Sequence, residues 1–252
     1  MSSGSSRPLL PDLAERRKPY LMAHRGDRTR CPENTLAAFA RAIADGADIL
    51  ETDLHLSADG SFMCIHDASV DRTTDGRGEV REMTLAQLKA LRASCGDPEF
   101  VDERIPTLEE LAASLPPDVG LALELKTDEF LAPIVCERLL ESLLRSGVRD
   151  RTITLSFSLA RLQSLGAVDS TIPLGWITMS RLWPRRDVQF LGPFWPLLFL
   201  NPIYAWLARR RGQMVCPLDP NPDRRLWYYR WLGCDAVLSD DPASTRKALD
   251  RG

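Results

Sequence analysis

Short runs of β-branched and apolar residues alternate along this chain with stretches whose apolar positions recur every three or four residues. That alternation predicts βα units around a parallel sheet. Residues 20–24 read as the first strand. A helix over about 35–45 follows, with Asn34 or Thr35 as its cap, Leu36, Phe39, Ala40 and Ile43 on one face, and Gly46 as its stop. Residues 49–56 form the next strand, and Ser57, Asp59 and Gly60 turn the chain into 61–66, so these two strands read as a hairpin. A polar loop leads to two short helices opened by Thr84 and Thr107. Further strands are read at 119–125, 152–156, 172–177, within 194–200, at 213–218 and at 235–239. Without the hairpin arm eight strands remain, and eight parallel strands in about 250 residues predict an α/β fold of one domain, a (β/α)8 TIM barrel. Residues 1–19 read as a flexible start, 20–252 as the barrel, and about 67–106 as its one large insertion.

One segment tests that picture. Residues 188–208 carry no charge and are flanked by arginines, close to the length that spans a bilayer. Pro193, Pro196 and Pro202 would break a single spanning helix, whereas a buried strand, a turn and a helix use prolines as punctuation. The segment is therefore expected to be buried or to act as a lid, with lining of an acyl channel or peripheral membrane contact as further uses.

Composition narrows the function classes. An apolar share of 44% excludes disorder as the main state, and 32 basic against 35 acidic residues leave a net charge of −3. No diffuse positive field exists for nucleic acid, so an anion must be met locally. The six cysteines show no metal-ligand spacing, which fits free thiols in a reducing compartment. The first twenty residues hold no apolar stretch long enough for a signal peptide, so a cytoplasmic location is expected.

Chemistry in such a barrel belongs at the carboxyl ends of its strands. His24 and Arg25 end the first strand, and the period of two puts Glu51 and Asp53 on one face of the second. His66 ends the hairpin arm, and Glu124 and Lys126 share a face of the third barrel strand. Three converging carboxylates repel one another, and a hard divalent cation with oxygen ligands relieves that repulsion. One Mg2+ or Ca2+ on Glu51, Asp53 and Glu124 is therefore expected. His55 shares the parity of Glu51 and Asp53, so a Glu–Asp–His ligand set is an alternative that the preference of hard cations for oxygen disfavours. Two imidazoles beside the cation offer an acid and a base, and Arg25 and Lys126 offer charge to a phosphate; together they suggest phosphodiester cleavage.

An ordered series of motifs strengthens this reading: His24-Arg25-Gly26, Pro32-Glu33-Asn34-Thr35, Glu51-Thr52-Asp53, Asp59-Gly60, His66-Asp67, Thr74-Asp75-Gly76, Met83-Thr84-Leu85, Ile105-Pro106-Thr107-Leu108-Glu109-Glu110, Glu124-Leu125-Lys126, Ser156-Phe157 and Ser239-Asp240-Asp241-Pro242. From about Tyr20 to its end the sequence resembles the glycerophosphodiester phosphodiesterase family. The resemblance implies a TIM barrel with an insertion after the second strand. It also implies metal ligation by Glu51, Asp53 and Glu124, acid/base catalysis by His24 and His66, phosphate contacts from Arg25 and Lys126, and support from Glu33 at the mouth. One late strand departs from the family, reading Cys216-Pro217-Leu218-Asp219 where Trp-Thr-Val-Asn is usual, so a tryptophan wall of the pocket is missing.

The implied reaction hydrolyses a small-molecule glycerophosphodiester, such as glycerophosphocholine or glycerophosphoethanolamine, to sn-glycerol 3-phosphate and an alcohol. The nucleophile is water or the neighbouring glycerol hydroxyl, and the latter gives a cyclic phosphate first. Either histidine can be the base; His24 in that part and His66 as the acid is the provisional order. Two other readings stand beside this one: a lysophospholipase D, suggested by the apolar 188–208 stretch and the lost tryptophan, and a non-catalytic barrel that binds phospho-ligands or membranes.

Overall fold

The computed structural model describes Leu13 and residues 16–251. Its eight parallel strands are β1 (Tyr20–His24), β2 (Ile49–Leu56), β4 (Gly120–Leu125), β5 (Thr152–Ser156), β6 (Leu174–Thr178), β7 (Phe190–Pro193), β8 (Met214–Val215) and β9 (Ala236–Ser239), while β3 (Phe62–Cys64) lies antiparallel on β2. The order β8-β7-β6-β5-β4-β2-β1-β9 curls the sheet into a nearly closed α/β barrel. Its seam is held by Asp235, whose backbone N–H donates to the Val215 carbonyl at 2.8 Å and whose carboxylate accepts from the Val215 N–H at 2.9 Å.

Alternation along each strand sorts side chains into two layers. Met22, Ile49, Ala122, Ile153, Ile177 and Phe190 fill the interior. Leu50, Leu121 and Leu123 point outward against Phe39 of α1 (Leu36–Ala44) and Leu139 of α4 (Pro133–Arg145). The insertion has its own cluster, in which Val70, Val80, Leu88 and Ala93 close over Met63 and Ile65 of the hairpin arm. The threonine signals hold: Thr35 caps α1, and Thr84 and Thr107 form capping boxes at α2 (Leu85–Ala90) and α3 (Leu108–Ser114). Each cap satisfies an orphan N–H, worth about 1 kcal/mol. On α1 the buried face is Ala38, Phe39 and Ala42, and Ala40 is exposed, a rotation from the expected stripe.

The remaining helices are α5 (Leu159–Val168), α6 (Trp195–Leu200), α7 (Ile203–Arg209), α8 (Leu226–Leu232) and α9 (Pro242–Asp250). The strand expected within 194–200 is corrected: the seventh strand is Phe190–Pro193, and Trp195–Leu200 is helical with Pro196 in its first turn. A continuous apolar run has no period to separate strand from buried helix, and proline is at home in a helix's first turn. No helix among the described residues is long and apolar enough to cross a membrane. Most of the 1–19 segment lies outside the described residues; Leu13 is buried against the barrel floor, where its carbonyl accepts from the Tyr20 hydroxyl at 2.8 Å.

Candidate active site at the barrel mouth

The ladder itself assembles the polar residues. Register places His24 opposite Glu51 and Asp53 opposite Glu124, so the strand ends of β1, β2 and β4 put four ionisable groups on neighbouring inner positions. Glu51, Asp53 and Glu124 are all buried, and each offers an oxygen within 4.8 Å of the others. Two oxygens on one Ca2+ at its usual 2.3–2.6 Å lie at most about 5 Å apart, so the spread is within reach of a single ion. Asp53 Oδ1 is buried without a hydrogen-bond partner, Lys126 Nζ standing 3.5 Å away. Burial, then the charges of Asp53 and Glu124, push the Glu51 carboxyl well above its ordinary range; burial also raises Glu124. Asp53 is held low: burial opposes ionisation, but Arg25, Lys126 and His66 overcome it. An orphaned oxygen amid mutually repelling carboxylates fits a hard divalent cation.

A tight loop after β1 aims the cations. Arg25 adopts φ 59° and Gly26 φ 80°, and a Cβ on Gly26 would lie 2.6 Å from the Ala38 backbone, so only glycine lets the loop press against α1. Arg25 donates its backbone N–H to Glu51 at 3.1 Å, while its guanidinium lies 3.1 Å from both Asp53 and Glu33. Asn34, also left-handed at φ 55°, is not the helix cap: its amide donates to Asp53 at 3.1 Å and its carbonyl accepts from Thr52 at 2.7 Å. Lys126 Nζ pairs with Glu124 at 3.1 Å.

Each imidazole has a carboxylate behind it. His24 Nδ1 lies 2.7 Å from Asp240, and His66 Nδ1 lies 2.6 Å from Asp67, which leaves both Nε2 atoms for other partners. Burial lowers the His66 pKa below its ordinary value despite the Asp53 charge. The hairpin arm sets its position, since Ile65 N–H donates to the Asp53 carbonyl at 3.0 Å. His55 does not join the carboxylates; its Nε2 meets the His66 backbone carbonyl at 3.0 Å.

The polar loop of the insertion supplies a residue that sequence reasoning missed. Arg72 donates to both oxygens of Glu33, at 2.8 and 3.0 Å, and to Asp67 at 2.6 Å, so it ties the support of Arg25 to the support of His66. Burial alone would raise the Glu33 carboxyl, but Arg72, Arg25 and Arg28 hold it at about 2. The site opens into a cavity of about 40 Å3 whose other wall is apolar, with Leu155, Ile177, Phe190, Leu218 and Leu238. Asp219, in the departing motif, is not among its lining residues and pairs with Arg225 at 2.6 Å.

A barrel whose mouth sets paired imidazoles and cations around a carboxylate trio has the make-up of a phosphoric diester hydrolase. Comparison with known proteins agrees. The glycerophosphoryl diester phosphodiesterase family matches residues 24–244, and the chain belongs to that family. A glycerophosphodiester phosphodiesterase of Caldanaerobacter subterraneus subsp. tengcongensis is 31% identical over 243 residues, covering 93% of this chain and 99% of the relative. A phosphodiesterase of Oleispira antarctica, solved in complex with the product sn-glycerol-3-phosphate, is 30% identical with TM-score 0.82, over 92% of this chain and 97% of that one. The glycerophosphodiester phosphodiesterase of Agrobacterium tumefaciens str. C58 shares the fold at TM-score 0.80 and 24% identity, covering 90% of this chain and 99% of its own.

Proposed function

We propose that the protein hydrolyses glycerophosphodiesters to sn-glycerol 3-phosphate and an alcohol, with Glu51, Asp53 and Glu124 as ligands of one Mg2+ or Ca2+. The buried carboxylate trio within 4.8 Å, set between two carboxylate-backed histidines, carries the reading. When bound, that ion supplies Lewis-acid charge against the phosphate oxygens. Arg25 and Lys126 add positive charge for the substrate phosphate, and Glu33 holds the Arg25 guanidinium in place. His24, oriented by Asp240 through Nδ1, has Nε2 available to take a proton from water or from the vicinal glycerol hydroxyl. His66, oriented by Asp67, returns a proton to the departing alcohol oxygen.

Release of choline and sn-glycerol 3-phosphate from glycerophosphocholine, assayed with Mg2+, Ca2+ and Mn2+ in turn, tests the proposal. Turnover that falls about 10²–10⁴-fold in His24→Ala and in His66→Ala, each variant losing one limb of the pH–rate profile, is the expected result. No release with any of the three ions, or bell-shaped profiles in both variants, overturns it. The apolar wall of the cavity supports a second reading, in which the same chemistry acts on lysophospholipids. A strong preference for glycerophosphocholine over lysophosphatidylcholine discards it.

A further inference from the structure

Outer helices of a barrel bury one face and turn charged residues to water. α8 departs from this: Leu226, Tyr229 and Leu232 face inward, while Trp227 and Trp231, one turn apart, are 68% and 69% exposed. Beside it, α6 exposes Phe199 and Leu200, and α7 exposes Ile203 and Trp206. Phe199 stacks on Tyr228 at 4.1 Å and Tyr228 on Trp231 at 5.7 Å, which joins α6 and α8 into one aromatic surface. The Tyr228 hydroxyl donates to the Leu198 carbonyl at 2.8 Å and fixes it. The loop after β6 extends the patch with exposed Leu182 and Trp183, anchored where Asn201 donates to the Leu182 carbonyl at 2.7 Å. Four of the six tryptophans thus stand in water within residues 183–231. Isolated apolar side chains on a surface need no explanation, but a joined patch of this kind marks a contact site.

Charge says what the contact is. Residues 179–233 carry nine arginines, three aspartates and no glutamate, a local charge of +6 in a chain whose net charge is −3. The aspartates are already engaged: Asp187 by Arg185, Asp219 by Arg225, and Asp223 by Ser244 and Thr245. Arg209, Arg210 and Arg224 are exposed, and Arg210 lies over the Trp206 ring at 5.0 Å. Tryptophan settles at the headgroup boundary of a bilayer, and guanidiniums beside it meet lipid phosphates.

We propose that the α6–α7–α8 face docks the protein on the surface of anionic phospholipid bilayers. The contact is interfacial, since no described helix can cross a membrane. The face also reaches the mouth: Trp195 at the start of α6 donates its N–H to the Leu218 carbonyl at 3.4 Å, and Leu218 lines the cavity with His24 and Glu124. Docking stands apart from the hydrolytic reading and is measured without turnover.

Sedimentation of the full chain with vesicles of phosphatidylcholine, alone or mixed with phosphatidylglycerol, tests it. Partitioning into the mixed vesicles about tenfold or more above the neutral ones, and weakened by salt, is expected. The pair Trp227→Ser and Trp231→Ser lowers partitioning by about tenfold or more. The set Arg209→Gln, Arg210→Gln and Arg224→Gln brings mixed vesicles close to the neutral level, and both variants keep glycerophosphocholine turnover. Negligible binding to both vesicles overturns the proposal, as does a light-scattering mass that halves on the tryptophan substitutions, which would make the face a self-association surface.

Discussion

On the β1–β2–β4 side of the mouth the inner positions are His24, Glu51, Asp53 and Glu124; on the β5–β9 side they are Leu155, Ile177, Phe190, Cys216 and Leu238. The first side is tied together by pairs that cross between loops, strands and the insertion, each ionisable group meeting an opposite charge or a hydrogen-bond donor. The second side is plain packing. The contrast is functional, because a low-dielectric wall facing the charges strengthens every electrostatic interaction between them. In the proposed reaction one half carries the chemistry and the other sets the medium in which it works.

Substitutions separate the two. Asp53→Asn, which keeps size and removes charge at the centre of the trio, is expected to cut turnover by about 10³-fold or more while far-ultraviolet circular dichroism stays unchanged. Activity within tenfold of the parent would place the chemistry elsewhere. Leu155→Ala on the apolar wall should do the reverse, costing about 2–4 kcal/mol in denaturant unfolding, with turnover at saturating substrate changed only about threefold. A catalytic loss as large as that of Asp53→Asn would erase the division of labour.

The smallest effect concerns support rather than contact. Glu33 has its carboxyl lowered from 4.5 to about 2, so its ionisation stabilises the folded state in full above about pH 4.5, and that contribution is lost as pH falls through about 2. Glu33→Gln should therefore unfold more easily than the parent at pH 6, with the gap narrowing between pH 4.5 and 2. A gap that ignores pH would mean that the Arg72 network does not depend on the Glu33 charge.

The two halves also differ in how far the sequence discloses them. Period-two spacing put Glu51 with Asp53 and Glu124 with Lys126 because the other face of each strand is apolar apart from Thr52. The threonine caps were equally plain, since a capping box is local. Arg72 was invisible, as it sits in an aperiodic loop and reaches Glu33 only after the insertion folds over the mouth. Asp240 is 216 positions from His24, and its pairing exists only once β9 lies beside β1. In the apolar half the uniform run around Phe194 hid the boundary between β7 and α6, because no polar residue marked a face.

Calorimetric titration of the metal-free protein with Ca2+ and Mg2+, in the parent and in Asp53→Asn, addresses the carboxylate trio directly. One ion per chain is expected in the parent, bound more tightly as pH rises because ligation needs the raised Glu51 and Glu124 carboxyls ionised, with binding at least about tenfold weaker in the variant. Equal affinity in the two proteins, or no uptake of either ion by the parent, would contradict it.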